Sequence, residues 1–184
     1  MDINPTTMRE KLRASGATLS YPERTMKRNN FDFPDFRLEK VGGWVRVRDE
    51  GDKITLSYKQ QDHRGLTGTQ EIEMVVSDYD ATCDFLRALG LEEKSYQETK
   101  REKWMLGKCE VTIDTWPWIP PTLEIEGETE DEVRETASRL GLAWADALHG
   151  SIAIAYMHYF DVEEETVNHH DNFSFGGPCP WQKT

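Results

Sequence analysis

Alternating apolar and polar positions predict several short β-strands along this chain. Trp44–Arg48 and Ile54–Lys59 both alternate, and the turn sequence Asp49-Glu50-Gly51-Asp52 separates them. This arrangement predicts a β-hairpin. The same pattern predicts further strands at Asn30–Phe33, Thr69–Val76, Lys100–Leu106, Glu110–Thr115 and Leu123–Glu126.

Helical spacing of apolar residues appears in the segments between these runs. Met8–Ala14 predicts a short helix, and Asp80–Leu89 predicts a second helix that Gly90 ends. Glu130–Leu140 predicts a third helix, and Ala143–Tyr159 is expected to contain a fourth. Strands in groups with helices between them indicate an α+β protein.

The organisation expected from this pattern is one domain followed by an extension. The chain has 184 residues, of which 37% are hydrophobic, enough for one domain with a core of its own. Residues 1–160 hold all the predicted elements. Residues 161–184 are first acidic and then rich in Gly and Pro, which indicates a C-terminal tail or an extension that covers an edge of the fold.

The charge of the chain argues against nucleic acid as its partner. With 22 Lys and Arg against 34 Asp and Glu, the net charge is -12. Residues 1–64 carry 13 basic and 10 acidic side chains, so their net charge is +3. Residues 65–184 carry 9 basic and 24 acidic side chains, so their net charge is -15. A local anion site within an acidic protein is therefore compatible with the composition.

Membrane and secretory features are not evident in the sequence. No apolar run reaches the length of a membrane span, and Met1–Thr7 lacks the apolar stretch of a signal peptide. The odd number of cysteines, three, has no paired spacing, which favours reduced thiols over a disulfide framework. We therefore expect a cytoplasmic protein that is not bound to membrane, and a homodimer is left open.

Charged residues recur two positions apart on several of the predicted strands, with an apolar residue between them. Two interpretations of this pattern are open. In the first, the charged face of the sheet lies in water and carries weak ion pairs. In the second, the sheet closes into a barrel or tunnel with a charged interior and with helices on its apolar outside. The residues concerned are Arg46, Arg48, Lys59, Glu71, Glu73, Asp114, Glu124 and Glu126.

The second interpretation suits a triphosphate held together with a metal ion. A triphosphate carries up to about four negative charges and is bound best by several Arg and Lys donors. Mg²⁺ and Mn²⁺ prefer the hard oxygen ligands that Asp and Glu provide. The predicted strands supply both kinds of side chain.

In their order along the chain, these residues resemble the CYTH superfamily of triphosphate tunnel metalloenzymes. The resemblance runs from about Met8 to Tyr159, and within it the bacterial branch similar to class IV adenylate cyclases is the most similar. The segments that carry it are Asn30-Phe31-Asp32 before Pro34, Trp44-Val45-Arg46-Val47-Arg48, Leu56-Ser57-Tyr58-Lys59, Glu71-Ile72-Glu73, Lys100-Arg101, Thr112-Ile113-Asp114 and Leu123-Glu124-Ile125-Glu126-Gly127.

The resemblance implies an antiparallel β-barrel or tunnel with a charged interior, and it implies roles for residues by position. The implied catalytic and phosphate-binding residues are Arg46, Arg48, Lys59 and Arg101. Further implied substrate contacts are Lys100, Lys103, Glu71 and Glu73, the two glutamates being partners of Arg and Lys or direct metal ligands. Where the family has a lysine two positions before this arginine, the chain has Thr99. The implied ligands of Mg²⁺ or Mn²⁺ are Asp114, Glu124 and Glu126.

One family motif, a first strand with Glu-x-Glu-x-Lys, does not precede the predicted helix at Met8–Ala14. We expect this strand to be missing or truncated. The activity implied is that of a class IV adenylate cyclase, a lyase that converts ATP to cyclic AMP and pyrophosphate. Two alternatives stay open: a triphosphatase, hence a hydrolase, that acts on thiamine triphosphate or inorganic triphosphate, and a non-catalytic protein that binds polyphosphate or nucleotide.

Overall fold

The computed structural model describes residues 3–61 and 69–182. Within these residues the chain forms eight strands: β1 (Thr18–Asp32), β2 (Gly43–Asp49), β3 (Ile54–Gln61), β4 (Thr69–Val76), β5 (Glu92–Leu106), β6 (Cys109–Thr115), β7 (Thr122–Glu126) and β8 (Asn172–Phe173). The helices are α1 (Pro5–Ala14), α2 (Tyr79–Ala88), α3 (Glu130–Arg139), α4 (Ile152–Tyr159) and α5 (Glu164–Asn168). Short 3₁₀ turns lie at Glu39–Val41 and Trp144–Asp146.

The elements confirm most of the predicted ones and extend two of them. The strand expected at Asn30–Phe33 is wrong in length, because β1 begins at Thr18 and runs through Pro22. Pro22 lies outside Lys27–Phe31, the stretch that pairs with β2, so its missing N–H removes no hydrogen bond there. Likewise β5 begins at Glu92, before the predicted Lys100.

Strand pairing makes one antiparallel sheet, which confirms the α+β class and the sheet-with-helices architecture. The order along the sheet is β4-β3-β2-β1-β5-β6-β7, and β8 adds a short parallel pairing with β5. Among the strands that the structure describes, the path of pairings begins at β4 and ends at β7, so it is open rather than a closed ring.

The chain divides into two compact units, to each of which β1 and β5 contribute residues. The first unit holds residues 3–24, 99–168 and 178–182, and the second holds residues 25–98 and 169–177, as far as the structure describes them. The proposed boundary between residues 160 and 161 stays a prediction.

The core of the first unit lies between the apolar face of β5–β7 and the helices α1 and α3. Asn4 caps α1 by accepting a hydrogen bond from the Thr7 amide at 3.1 Å, and Thr129 and Glu132 form a capping box at the start of α3. The core residues are Met8, Leu12, Trp104, Leu106, Val111, Ile113 and Leu140. Because side chains alternate along a strand, this packing turns Arg101, Asp114 and Glu124 to the other face.

The core of the second unit packs α2 against one face of β1 and β2. Asp78 caps α2 by accepting a hydrogen bond from the Ala81 amide at 2.8 Å. The core residues are Phe31, Val47, Tyr79, Cys83, Leu86 and Leu91. Arg46 and Arg48 flank Val47 on β2 and therefore lie on the opposite face from this core.

Residues beyond 160 contact other parts of the chain. In the second unit, β8 pairs with β5 at Tyr96 and Gln97, and Phe173 is buried. In the first unit, the Trp181 ring packs edge-on against Tyr156, with 5.3 Å between ring centroids. Among the residues that the structure describes, no helix has the length and apolar character needed to cross a membrane.

Candidate functional site

The first group of predicted site residues shares one face of β2, β3 and β4. Direct pairs in the register are Lys59 with Glu71 and Ser57 with Glu73, and Arg46 lies opposite Ser57. Opposed residues of antiparallel strands project from the same side of a sheet. We call this surface the β2–β4 charged face, and its members are Arg46, Arg48, Lys59, Glu71 and Glu73.

Two of the three cations on this face have a carboxylate within hydrogen-bonding distance. Arg48 donates to Glu50 Oε1 from Nε at 2.9 Å and from Nη2 at 2.5 Å. Lys59 Nζ lies 3.0 Å from Glu71 Oε1. Glu73 is more distant from its cation, since its Oε1 lies 3.8 Å from Lys53 Nζ. Glu71 therefore contacts a basic residue of the same face, and its role toward a substrate stays a prediction.

Arg46 differs from both because its charge is buried with no carboxylate at hydrogen-bonding distance. The residue is 8% exposed, and its Nη2 lies 3.8 Å from Glu71 Oε1, too far for a hydrogen bond. Burial, followed by the positive charge of Arg48, lowers the pKa of Arg46 to about 10, although Glu71 and Glu73 act in the opposite direction. A bound anion would relieve this unfavourable burial of a positive charge.

The second group of predicted site residues meets on β5, β6 and β7. Arg101 donates to both carboxylate oxygens of Asp114, from Nε at 2.6 Å and from Nη2 at 2.7 Å. Its Nη2 also donates to Glu124 Oε2 at 2.9 Å. The Thr112 hydroxyl lies 3.1 Å from Asp114 Oδ2. We call Arg101, Asp114 and Glu124 the Arg101 cluster.

Charge and burial oppose each other in the Arg101 cluster. Burial by itself lowers the pKa of Arg101, but the carboxylates of Asp114 and Glu124 outweigh it and hold this pKa above its ordinary value. For Glu124, burial is the largest influence and raises the pKa, and the negative charges of Glu126 and Asp114 raise it further against the lowering effect of Arg101. Glu124 is therefore a carboxylate whose negative charge is only partly compensated.

The other predicted site residues on β5 and β7 lie outside the Arg101 cluster. Lys103 forms an ion pair with Glu110 on β6. Glu126 lies on β7 opposite Glu110, and it shares the face of Glu124. Lys100 pairs in register with Thr115, and strand alternation places it on the other face from Arg101.

The carboxylates Asp114, Glu124 and Glu126 suit a divalent cation in chemistry. They are hard oxygen donors. Burial first, and then the negative charges of Glu126 and Asp114, raise the pKa of Glu124, and a bound cation would offset this unfavourable negative charge. Arg101, however, already bridges two of the three, and the described residues contain no group of three or more potential ligands arranged around one point. The donor types fit Mg²⁺ or Mn²⁺, and binding by all three would require Arg101 to exchange its partners.

Three residues beside the β2–β4 charged face were not predicted as site residues. Glu50 was assigned only to a turn, yet its side chain is 7% exposed and binds Arg48. Thr55 and Ser57 precede Lys59 at two-residue spacing on β3 and share its face. Period-two alternation is the sequence signal that could have identified Thr55 and Ser57. No sequence signal indicated that the Glu50 side chain would be buried.

Comparison with known proteins gives one match to a family. The family model described as the CYTH domain matches residues 29–151. None of the curated proteins matches the chain in sequence.

Solved structures with the same fold come from archaea, bacteria and a plant. The PH1012 protein of Pyrococcus horikoshii has a TM-score of 0.65 and 20% identity, covering 79% of this chain and 89% of its own. A candidate adenylate cyclase from Vibrio parahaemolyticus has a TM-score of 0.71 and 14% identity, covering 84% and 92%. A Hippeastrum protein, described as having a dominant triphosphatase activity, has a TM-score of 0.59 and 13% identity, covering 85% and 92%. At these identities the likeness shows the fold.

Proposed function

The chain belongs to the CYTH domain family, and on this premise we propose that it is a metal-dependent enzyme acting on a nucleoside or organic triphosphate. The first candidate reaction is that of the class IV adenylate cyclases, in which ATP becomes cyclic AMP and pyrophosphate. The observation that carries the proposal is Arg46, a buried guanidinium with a lowered pKa and no carboxylate at hydrogen-bonding distance. A polyanion is the ligand that such a group favours.

The basic residues are proposed to bind and align the phosphates. Arg46 contacts a phosphate without first giving up a hydrogen-bonded carboxylate, whereas Arg48 and Lys59 share theirs with Glu50 and Glu71. Arg101 is proposed to bind phosphate oxygens as well, with Lys100 and Lys103 as further candidate contacts. Fixed positive groups of this kind stabilise the charge that shifts between phosphate oxygens as the phosphorus–oxygen bond breaks.

The acidic residues Asp114, Glu124 and Glu126 are proposed to hold Mg²⁺ or Mn²⁺. When bound, such an ion supplies positive charge to phosphate oxygens and so favours departure of the leaving group. Glu71 and Glu73 are proposed to orient the basic residues of the β2–β4 charged face. In the cyclase reaction the ribose 3′-hydroxyl attacks the α-phosphorus, the bond to the β-phosphate oxygen breaks and pyrophosphate leaves.

A second candidate reaction is hydrolysis of the terminal phosphate. Water then attacks the terminal phosphorus, the bond from this phosphorus to the bridging oxygen breaks, the diphosphate part leaves and orthophosphate forms. The same cationic groups surround the phosphates. The dominant triphosphatase activity described for the Hippeastrum protein of the same fold favours this candidate. Thiamine triphosphate and inorganic triphosphate are the substrates to compare with ATP. Binding of polyphosphate without turnover is the third outcome.

Product analysis by phosphorus NMR tests the proposal. The protein is incubated with ATP, inorganic triphosphate or thiamine triphosphate, each with Mg²⁺ or Mn²⁺ and each with a chelator. Cyclic AMP with pyrophosphate identifies the cyclase, and orthophosphate identifies the triphosphatase. Shifted triphosphate resonances without products identify a binding protein, and unshifted resonances with every substrate contradict the proposal.

A matched pair of variants tests the role of Arg46. Arg46→Gln is expected to weaken triphosphate binding at least about tenfold, because it removes the buried positive charge. Arg37→Gln changes the net charge equally, but Arg37 is 59% exposed and pairs with Asp35 outside the charged strands. Equal loss in both variants would mean that only overall charge matters.

A further inference from the structure

Two hydroxyl residues lie beside the arginines of the β2–β4 charged face. In the register of β2 and β3, Thr55 pairs with Arg48 and Ser57 pairs with Arg46. Directly paired residues project from the same side of the sheet. Both hydroxyl side chains therefore share the face of the two guanidinium groups, and Val47 and Leu56 take the opposite face with the core.

These hydroxyls are buried and have no hydrogen-bond partner within the described part of the chain. Thr55 is 0% exposed and Ser57 is 1% exposed. Thr55 Oγ1, Ser57 Oγ and Arg46 Nε are all buried atoms for which the structure gives no partner. Buried polar atoms in folded proteins nearly always have a partner, so three of them on one face of one strand pair are unusual.

The neighbouring cations of the same face are already satisfied by carboxylates. Arg48 binds Glu50 and Lys59 binds Glu71. The atoms left over are one guanidinium N–H and two hydroxyls, each of which can donate a hydrogen bond. Donors without acceptors, next to a buried positive charge, favour a ligand that is rich in acceptor oxygens and negatively charged.

We infer that Thr55 and Ser57 are substrate-binding residues, whose hydroxyls donate with Arg46 Nε to the oxygens of a phosphate group. This inference rests on the proposed triphosphate function and adds to it a neutral part of the binding site. A tetrahedral phosphate presents acceptor oxygens in several directions, so donors on two adjacent strands can engage it together. Lone hydroxyls also rotate freely and can adjust to whichever oxygen is nearest.

A buried water is the other partner that such hydroxyls commonly have, and it predicts different behaviour. A structural water bound by Thr55 and Ser57 would contribute to folding, because buried waters join polar groups that otherwise lack partners. Removal of a hydroxyl would then lower the melting temperature and leave triphosphate affinity unchanged. A phosphate-binding role predicts the reverse pattern.

Calorimetric titration with inorganic triphosphate, combined with thermal unfolding of the ligand-free protein, separates these roles. Thr55→Val and Ser57→Ala are each expected to weaken affinity about fivefold, the factor of one hydrogen bond of ordinary net strength. The melting temperature is expected to stay level or rise, since an unpartnered buried hydroxyl is removed. Thr55→Ser keeps the hydroxyl and is expected to restore affinity.

A threonine away from the charged strands serves as the matched control. Thr136 is a buried residue of α3, and Thr136→Val is expected to leave affinity unchanged. If the wild-type protein binds triphosphate and all four variants bind equally well, the hydroxyls are not ligands and the inference fails while the proposed function stands. If the wild-type protein binds no triphosphate, both fail together.

Discussion

Arg101 and Asp114 face each other across β5 and β6 and form a two-pronged ion pair, with both Asp114 oxygens accepting from the guanidinium at 2.6 and 2.7 Å. Asp114 is 3% exposed, so its charge depends on this partner. A planar guanidinium can match both oxygens of a carboxylate, and an ammonium group cannot. The pair therefore fixes the relative positions of two predicted site residues on adjacent strands.

Replacing this guanidinium should destabilise the fold although the positive charge is kept. Arg101→Lys is expected to lower the free energy of unfolding by about 2 kcal/mol, because one oxygen of buried Asp114 loses a charged donor. Urea unfolding measures the change. Arg134→Lys is the control: Arg134 bonds to Glu130 on the surface of α3, where such a pair contributes about 0.5 kcal/mol or less. Equal changes in the two variants would contradict the structural role of the Arg101–Asp114 pair.

Glu126 is an exposed member of the proposed metal-binding carboxylates, as is Glu124, whereas Asp114 is buried. Glu126→Gln keeps the shape of the side chain and removes its charge, so metal-dependent turnover is expected to fall by at least about tenfold. The free energy of unfolding is expected to change by less than about 0.5 kcal/mol, as for other exposed residues. Glu128→Gln, two residues further on, is the control and should keep full activity. Undiminished turnover in Glu126→Gln would remove this residue from the metal-binding set.

Glu124 gives a prediction for the pH dependence of stability in metal-free buffer. Its pKa in the folded chain lies above the ordinary value of 4.5, chiefly through burial, so its charged form is less favourable in the folded state than in the unfolded state. This unfavourable contribution is absent well below 4.5 and complete above the raised pKa. Glu124→Gln should therefore raise the melting temperature, relative to wild type, more at about pH 7.5 than at about pH 4.

Glu132 is expected to affect the pH dependence of stability in the opposite direction. The Lys108 hydrogen bond, first among its influences, lowers the pKa of Glu132 below 4.5. Its stabilising contribution is present above the unfolded pKa and is lost as the pH falls toward the lowered one. Glu132→Gln should accordingly lower the melting temperature more at about pH 7.5 than at about pH 4. If Glu124→Gln also lowered the melting temperature more at about pH 7.5 than at about pH 4, the direction assigned to Glu124 would be wrong.

Gly127 sets how closely the end of β7 approaches its neighbours. A Cβ at this position would lie 2.9 Å from Cys109 Sγ and 3.1 Å from Val133 Cγ2. Gly127→Ala is therefore expected to destabilise the fold by about 1–3 kcal/mol through overpacking. At Gly176 a Cβ would meet nothing within 4 Å, so Gly176→Ala should be close to neutral. Chemical denaturation of both variants checks this prediction, and a neutral Gly127→Ala would contradict it.

Sequence patterns predicted the strands best where charged and apolar residues alternate strictly. The β2–β3 hairpin follows directly from Trp44–Arg48, Ile54–Lys59 and the turn between them, and β4 has the predicted bounds. The early part of β1 was not predicted, because Pro22 and the mixed residues after it lack a regular alternation. Their extended form depends on pairing with distant strands, which local patterns do not encode.

Candidate site residues could be assigned to faces but not to partners. Period-two alternation correctly grouped Arg46 with Arg48 and Asp114 with the neighbouring carboxylate strand. It could not show that Arg101 takes both oxygens of Asp114, because that contact depends on the register between β5 and β6. It also could not distinguish Arg46, which has no carboxylate at hydrogen-bonding distance, from Arg48, which binds Glu50.

Strand β4 lies at one end of the strand order of the described sheet and exposes a row of apolar side chains. If the strand carried no charges, these side chains would favour aggregation. Ile72 is 63% exposed and Met74 is 53% exposed, while Glu71 and Glu73 alternate with them. If two copies paired through β4 in antiparallel fashion about Ile72, Glu71 of each would stand opposite Glu73 of the other. Like charges placed directly opposite destabilise a strand pair. The two glutamates thus act as gatekeepers against fibril-like stacking of this strand.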